Sequence, residues 1–133
     1  MNAVCLINMQ VNIKKKSSFL KSDNYTKHIR FIISDPDALD IVLVVNATTC
    51  RGMRGEDMSC LLSRGDHPFI RDNSYIAYSR SEELKIETIV KLAKDHKIIL
   101  KPDISEALLR KLQEGAKKSD QLPNKFYKYF SNF

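Results

Sequence analysis

Residues 41–49 read IVLVVNATT. From Ile41 to Val45 no polar side chain interrupts the run, and most of it is β-branched, the composition of a strand. A strand with one wet face alternates apolar and polar residues. This one does not, which leaves burial on both faces or a place in a tightly curved barrel.

Working outward, Asp35-Pro36-Asp37 is a turn signature on the N-terminal side. HIRFIIS (28–34) precedes it and reads as another strand. On the C-terminal side, CRGMRGED (50–57) is a glycine-containing loop carrying Arg51 and Arg54. MSCLLS (58–63) and SYIAYSR (74–80) read as further strands, joined by GDHPFIRDN. Residues 3–13, AVCLINMQVNI, have the apolar alternation of a strand, and KKKSSFLKSDNYTK after them is polar and broken. The expectation for 1–27 is therefore a strand plus a flexible basic loop or hairpin connection.

After residue 80 the period changes from two to that of a helix. Ser79 and Glu82 have capping-box spacing, and Ile86, Ile89, Val90 and Ala93 fall on one helical face. KIIL (97–100) reads as a short extended segment. Pro102 and Asp103 then open a second helix with Ile104, Leu108, Leu109 and Leu112 as its buried stripe and Gly115 as its stop. Strands grouped before helices predict an α+β fold: a small, strongly bent antiparallel sheet or SH3-like barrel followed by C-terminal helices.

The whole chain bounds this reading. Its 133 residues suit one domain, 1–133, large enough to bury a core without staples. A hydrophobic fraction of 43% and a charged fraction of 29% are those of a globular protein rather than a disordered or membrane-spanning one. The three cysteines, Cys5, Cys50 and Cys60, have no paired spacing, so a reducing, cytoplasmic setting is expected rather than a disulfide framework. His28, His67 and His96 are dispersed and there is no C-x-x-C, so no metal or other cofactor is expected. The net charge of +6 fits a polyanionic partner. Part of it lies at Lys14–Lys16, and part in the basic aromatic tail 117–133, where Lys117, Lys118, Lys125 and Lys128 alternate with Phe126, Tyr127, Tyr129 and Phe130. Such lysines bind phosphates while rings stack on bases, or the rings dock the tail on its own core.

The order HIRFIISDP, IVLVVNATT, CLLSRGDHPFIRDNSYIAY, then DISEALLRKLQEG resembles the PemK/MazF family of bacterial toxins over roughly residues 25–115. Phe31-Ile32-Ile33-Ser34 is similar to the family's apolar run ending in Ser, and Ala47-Thr48-Thr49 to its Thr-containing segment. The resemblance implies an SH3-like barrel with a C-terminal helix. It also implies metal-independent endoribonuclease cleavage of single-stranded RNA by a homodimer, held inactive by a cognate antitoxin. In that family an Arg-Pro pair and a Thr carry the chemistry. The Thr corresponds to Thr48, and the Arg-Pro position is occupied by His28-Ile29.

Cleavage through a 2′-hydroxyl needs a proton acceptor, a proton donor and cations on the phosphate. Histidine titrates near neutral pH and can serve as acceptor or donor. The candidate catalytic residues are therefore His28, Thr48 and His67, and the candidate RNA phosphate contacts are Arg30, Arg51 and Arg71. In GDHPFIR, Pro68 stiffens a segment that either presents His67 and Arg71 to a site or bonds them to local backbone, with Phe69 plugging the end of the sheet. The departure at the Arg-Pro pair leaves a second reading: a non-catalytic SH3-like module that binds nucleic acid or a peptide.

Overall fold

The computed structural model describes residues 12–23 and 26–133. Its elements are strands β1 (Ser18–Asp23), β2 (Thr26–Ile32), β3 (Ile41–Thr49), β4 (Leu61–Leu62), β5 (Ser74–Ile76) and β6 (Glu82–Lys85), helix α1 (Ile86–Lys94), strand β7 (Ile98–Lys101) and helix α2 (Glu106–Lys118). Two 3-10 segments, Tyr78–Arg80 and Asn124–Asn132, complete the described part. The fold is α+β.

The seven strands form one sheet in the order β4-β5-β3-β2-β1-β7, with β6 also on β3, and every pairing is antiparallel. The sheet is open and does not close into a barrel. β3 is its centre. One flank pairs with β2, through Arg30↔Asn46 and Ile32↔Val44. The other flank is shared: β6 takes Ile41–Val44 and β5 takes Ala47–Thr49. Between β5 and β6 the 3-10 turn at Tyr78–Arg80 shortens the predicted 74–80 strand. It turns Tyr78 inward, where its hydroxyl donates to the Leu112 carbonyl at 2.7 Å.

The unbroken apolar run of β3 comes from burial on both faces. On one face Leu43, Val45, Ile29, Phe31 and Leu20 pack beneath α2 and the C-terminal segment. On the other, Val42, Val44, Ile32 and Phe19 pack beneath α1 through Ile89. Each face buries a contiguous apolar cluster, and helices on both faces need no closure of the sheet to exclude water.

β1 falls within the expected basic loop. Its strand carries only Phe19 and Leu20 as large apolar residues, and alternation sends them to opposite faces and opposite cores. One buried side chain per face suffices because β2 and β7 supply partners on both edges. The strand predicted at 3–13 lies largely outside the described residues; 12–14 are not strand, and Ile13 is buried in the α1-side core.

Helix termini also differ from expectation. Ser79 and Glu82 form no capping box, since Glu82 begins β6 and the helix starts at Ile86. For α2 the N-cap is Ser105, whose hydroxyl accepts from Leu108 N–H at 3.1 Å, while Asp103 binds Lys14 instead. The stripe Ile104, Leu108, Leu109 and Leu112 is buried as predicted. Gly115 does not stop the helix, which continues to Lys118. A Cβ there would meet the Tyr78 hydroxyl and lie 2.7 Å from Cys60 Cβ, so close packing is what requires glycine.

The basic aromatic tail docks on the molecule. Phe126 and Tyr129 are buried, Asn132 accepts from Asp35 N–H, and Lys125 and Lys128 lie over the rings of Phe126 and Tyr129.

Candidate functional site

The start of β2, the end of β3 and the segment after Phe69 meet around an open cleft of about 390 Å³, within the usual size range of ligand sites, about 300–1,000 Å³. Its lining includes Lys27, His28, Thr48, Arg51, Arg71 and Asp72, with Phe69 and Ile70 as an apolar wall. The sheet creates this convergence. The β2–β3 ladder ends at Arg30↔Asn46, and His28 and Thr48 lie two residues beyond it, one on each strand, at the cleft. Thr48 in turn pairs with Tyr75 of β5, and Lys21 of β1 pairs with His28. Direct cross-strand neighbours share a face.

Four of the predicted residues, His28, Thr48, Arg51 and Arg71, therefore share one cleft. Lys27, Arg51 and Arg71 outweigh the single carboxylate of Asp72 along it, so the cleft favours an anion. His28 is half-buried at this cleft. Thr48 is also half-buried, but its hydroxyl oxygen is shut from solvent and has no hydrogen-bond partner among the described residues. An unpartnered hydroxyl costs stability unless something bonds it.

The other two candidates are placed elsewhere. Arg30 is 3% exposed, and its guanidinium contacts Glu82 of β6 at 2.5 Å. A charge buried beneath α1's face and engaged by a carboxylate is a structural ion pair as it stands. His67 is likewise 3% exposed. Its Nδ1 accepts from Phe69 N–H at 3.0 Å, its Nε2 lies 3.2 Å from Ser18 Oγ, and Phe31 meets its ring edge-on. Burial, and secondarily the charge of Lys101, lower its pKa from the ordinary histidine value. Phe69 N–H bonding makes the HPF turn a locally satisfied structure, and Phe69 packs against the α2-side core.

Sequence reasoning missed Lys27 and Asp72 as cleft residues. Both sit next to a residue it selected, but no sequence pattern brings position 27 to position 72. Only the hairpin β1–β2 and the return of the chain at β5 do so. Among the described residues no group of three His, Cys, Asp or Glu side chains is arranged to hold a metal, and no helix is long and apolar enough to cross a membrane.

No family model, curated protein or solved structure matches this chain. Its architecture is that of an open-sheet α+β protein with a basic cleft at one end of its central strands.

Proposed function

We propose that this cleft binds single-stranded RNA and that the protein is a metal-independent endoribonuclease of the PemK/MazF type, with His28 as its proton-transfer group. The observation that supports this reading is that His28 lines a cleft together with Lys27, Arg51 and Arg71. In this chemistry the 2′-oxygen bonds to the adjacent phosphorus as its proton passes to the neutral imidazole of His28. The cations offset charge on the phosphorane. The bond to the 5′-oxygen then breaks, and that oxygen takes a proton from the imidazolium or from water. The products are a 2′,3′-cyclic phosphate and a 5′-hydroxyl. The remaining elements of this proposal are a homodimer, an antitoxin that occupies the cleft, and a cytoplasmic setting.

The alternative, a module that binds nucleic acid or a peptide without cleaving it, draws support from the closed-off Thr48 hydroxyl and from the engagement of His67 with its neighbours. One experiment separates the two. Purified protein is incubated with mixed-sequence single-stranded RNA in excess EDTA from pH 5 to 9. The endoribonuclease yields 5′-hydroxyl fragments at a rate that changes with pH, as general acid–base catalysis requires. Intact RNA throughout, with bound RNA detected by gel shift, leaves the module. Sedimentation at several concentrations checks the dimer: a monomer throughout removes it.

A further inference from the structure

The segment 64–72 supplies Phe69, Ile70, Arg71 and Asp72 to the cleft, yet Arg64, Gly65, Asp66, Pro68, Arg71 and Asp72 are themselves exposed. Something must hold so exposed a segment in place. Its inward contacts are few: Ile70 in the core, Phe69 against it, and His67. The hydrogen bonds of His67 point to one tautomer. A backbone N–H can only donate, so Nδ1, which accepts from Phe69 N–H, carries no proton. The Ser18 hydroxyl sits 2.7 Å from the Pro102 carbonyl, which can only accept, so the one hydroxyl proton is spent there. Ser18 Oγ must then accept from His67, and the ring proton is on Nε2. The chain runs Phe69 N–H to Nδ1, Nε2–H to Ser18 Oγ, and Ser18 O–H to Pro102 C=O. It joins segment 64–72 to β1 and to the turn after β7.

We infer that His67 is a positioning residue of the cleft: its neutral ring closes the turn that leads into Arg71 and ties it to β1, and protonation of that ring opens the turn at Phe69 while the Ser18 bond persists. This rests on the proposed RNA cleft for its functional meaning, but the peg itself does not. An imidazolium would place an Nδ1–H against Phe69 N–H, two donors facing each other. The surrounding charges do not rescue it: in the recess that His67 borders, Arg64 and Arg71 outweigh the carboxylate of Asp72. Lys101, at the end of β7, repels a cationic ring. Asp66, the neighbouring carboxylate, already accepts from Ser63 N–H at 2.7 Å and lies 3.9 Å from Lys111 of α2. Phe31 of β2 and Ser18 of β1 bring no charge. Lowering the pH therefore costs His67 the bond that orders the cleft's wall.

The test uses the full chain, imidazole nitrogen shifts and amide exchange by NMR, and binding of a fluorescent oligouridylate. At pH 7.5 the His67 nitrogens should report the Nε2–H tautomer. As pH falls through the His67 titration, Phe69 amide protection should drop at least tenfold. His67→Asn retains an acceptor near Nδ1 but does not titrate. Its Phe69 protection should stay flat with pH, and its oligouridylate affinity should fall several-fold less between pH 7.5 and pH 5 than that of the native protein. His67→Gln, which reaches toward Ser18 but leaves Phe69 N–H unmet, should not rescue. An Nδ1–H tautomer, or Phe69 protection that does not follow the His67 titration, overturns the peg. If neither protein binds oligouridylate, the RNA reading fails while the NMR result still decides the peg.

Discussion

His28 and His67 are placed in opposite ways. His28 begins β2, sits half-buried beside Lys27, Arg51 and Arg71, and faces a cleft. His67 lies in a connection, yet it is nearly inaccessible, and both ring nitrogens are in contact with hydrogen-bonding groups. Loop position and strand position would suggest the reverse, because connections usually run over the surface. Proton transfer needs a free lone pair with a path to substrate. A histidine whose nitrogens are already engaged serves the architecture.

The sharpest way to break this comparison is kinetic. His28→Ala should lower RNA cleavage on the order of 100-fold or more, as loss of a general acid or base does. Its stability should fall less than that of the His67→Ala variant, since His28 is only half-buried. Cleavage at the native rate would remove His28 from the chemistry and, with it, the contrast.

His67→Ala should show the opposite pattern. It strands Phe69 N–H and leaves a gap beside Phe31, so unfolding in urea should reveal a loss of about 2 kcal/mol. A variant as stable as the native protein would mean that the ring is not a structural peg.

The arginines repeat the contrast at smaller amplitude. Arg71→Ala should weaken RNA binding several-fold, most at low salt, with stability unchanged, because its side chain is exposed at the cleft. Arg30→Ala should instead reduce stability by leaving Glu82 without its guanidinium partner, and its effect on RNA binding should not depend on salt. If both change the salt dependence of binding equally, the burial of Arg30 does not separate their roles.

The smallest effect is on pH-dependent stability. The pKa of His67 is lowered in the folded state, so the unfolded chain binds its proton first as pH falls. The stability attached to the neutral ring is therefore complete above the unfolded value of ~6.5 and declines as pH falls through the folded value. One such proton changes stability by no more than about 1.4 kcal/mol per pH unit. His67→Asn should flatten that limb of a stability-versus-pH curve measured by urea denaturation, and an unchanged slope would assign it to other groups.

Much of the fold was legible because local chemistry and tertiary demand agree there. The uninterrupted run Ile41–Val45 marked the central strand, and the spacing of Leu108, Leu109 and Leu112 marked the buried stripe of α2. β1 was not legible, since Phe19 and Leu20 form no pattern until a sheet gives each its own face. Gly115 read as a helix stop because its true constraint, the approach of Tyr78 and Cys60, comes from residues far away in the chain.

The candidate site divides in the same way. The family resemblance pointed to Thr48 and to the position of His28, while Arg51 and Arg71 were selected by residue type, because cationic side chains are the ones that phosphate binding uses. Residue type selected Arg30 and His67 as well, and there it had no access to burial. Whether a polar side chain works outward or inward is decided by which strand lies beside it and which helix covers its face. Glu82 arrives at Arg30 by way of β6, and Ser18 lies beside His67 although 49 positions separate them in the chain. Composition and periodicity determined an α+β chain with a basic excess. Long-range pairing alone decided which of its basic groups remained free to meet an anion, because desolvation and hydrogen bonding act on neighbours in space and not on neighbours in sequence.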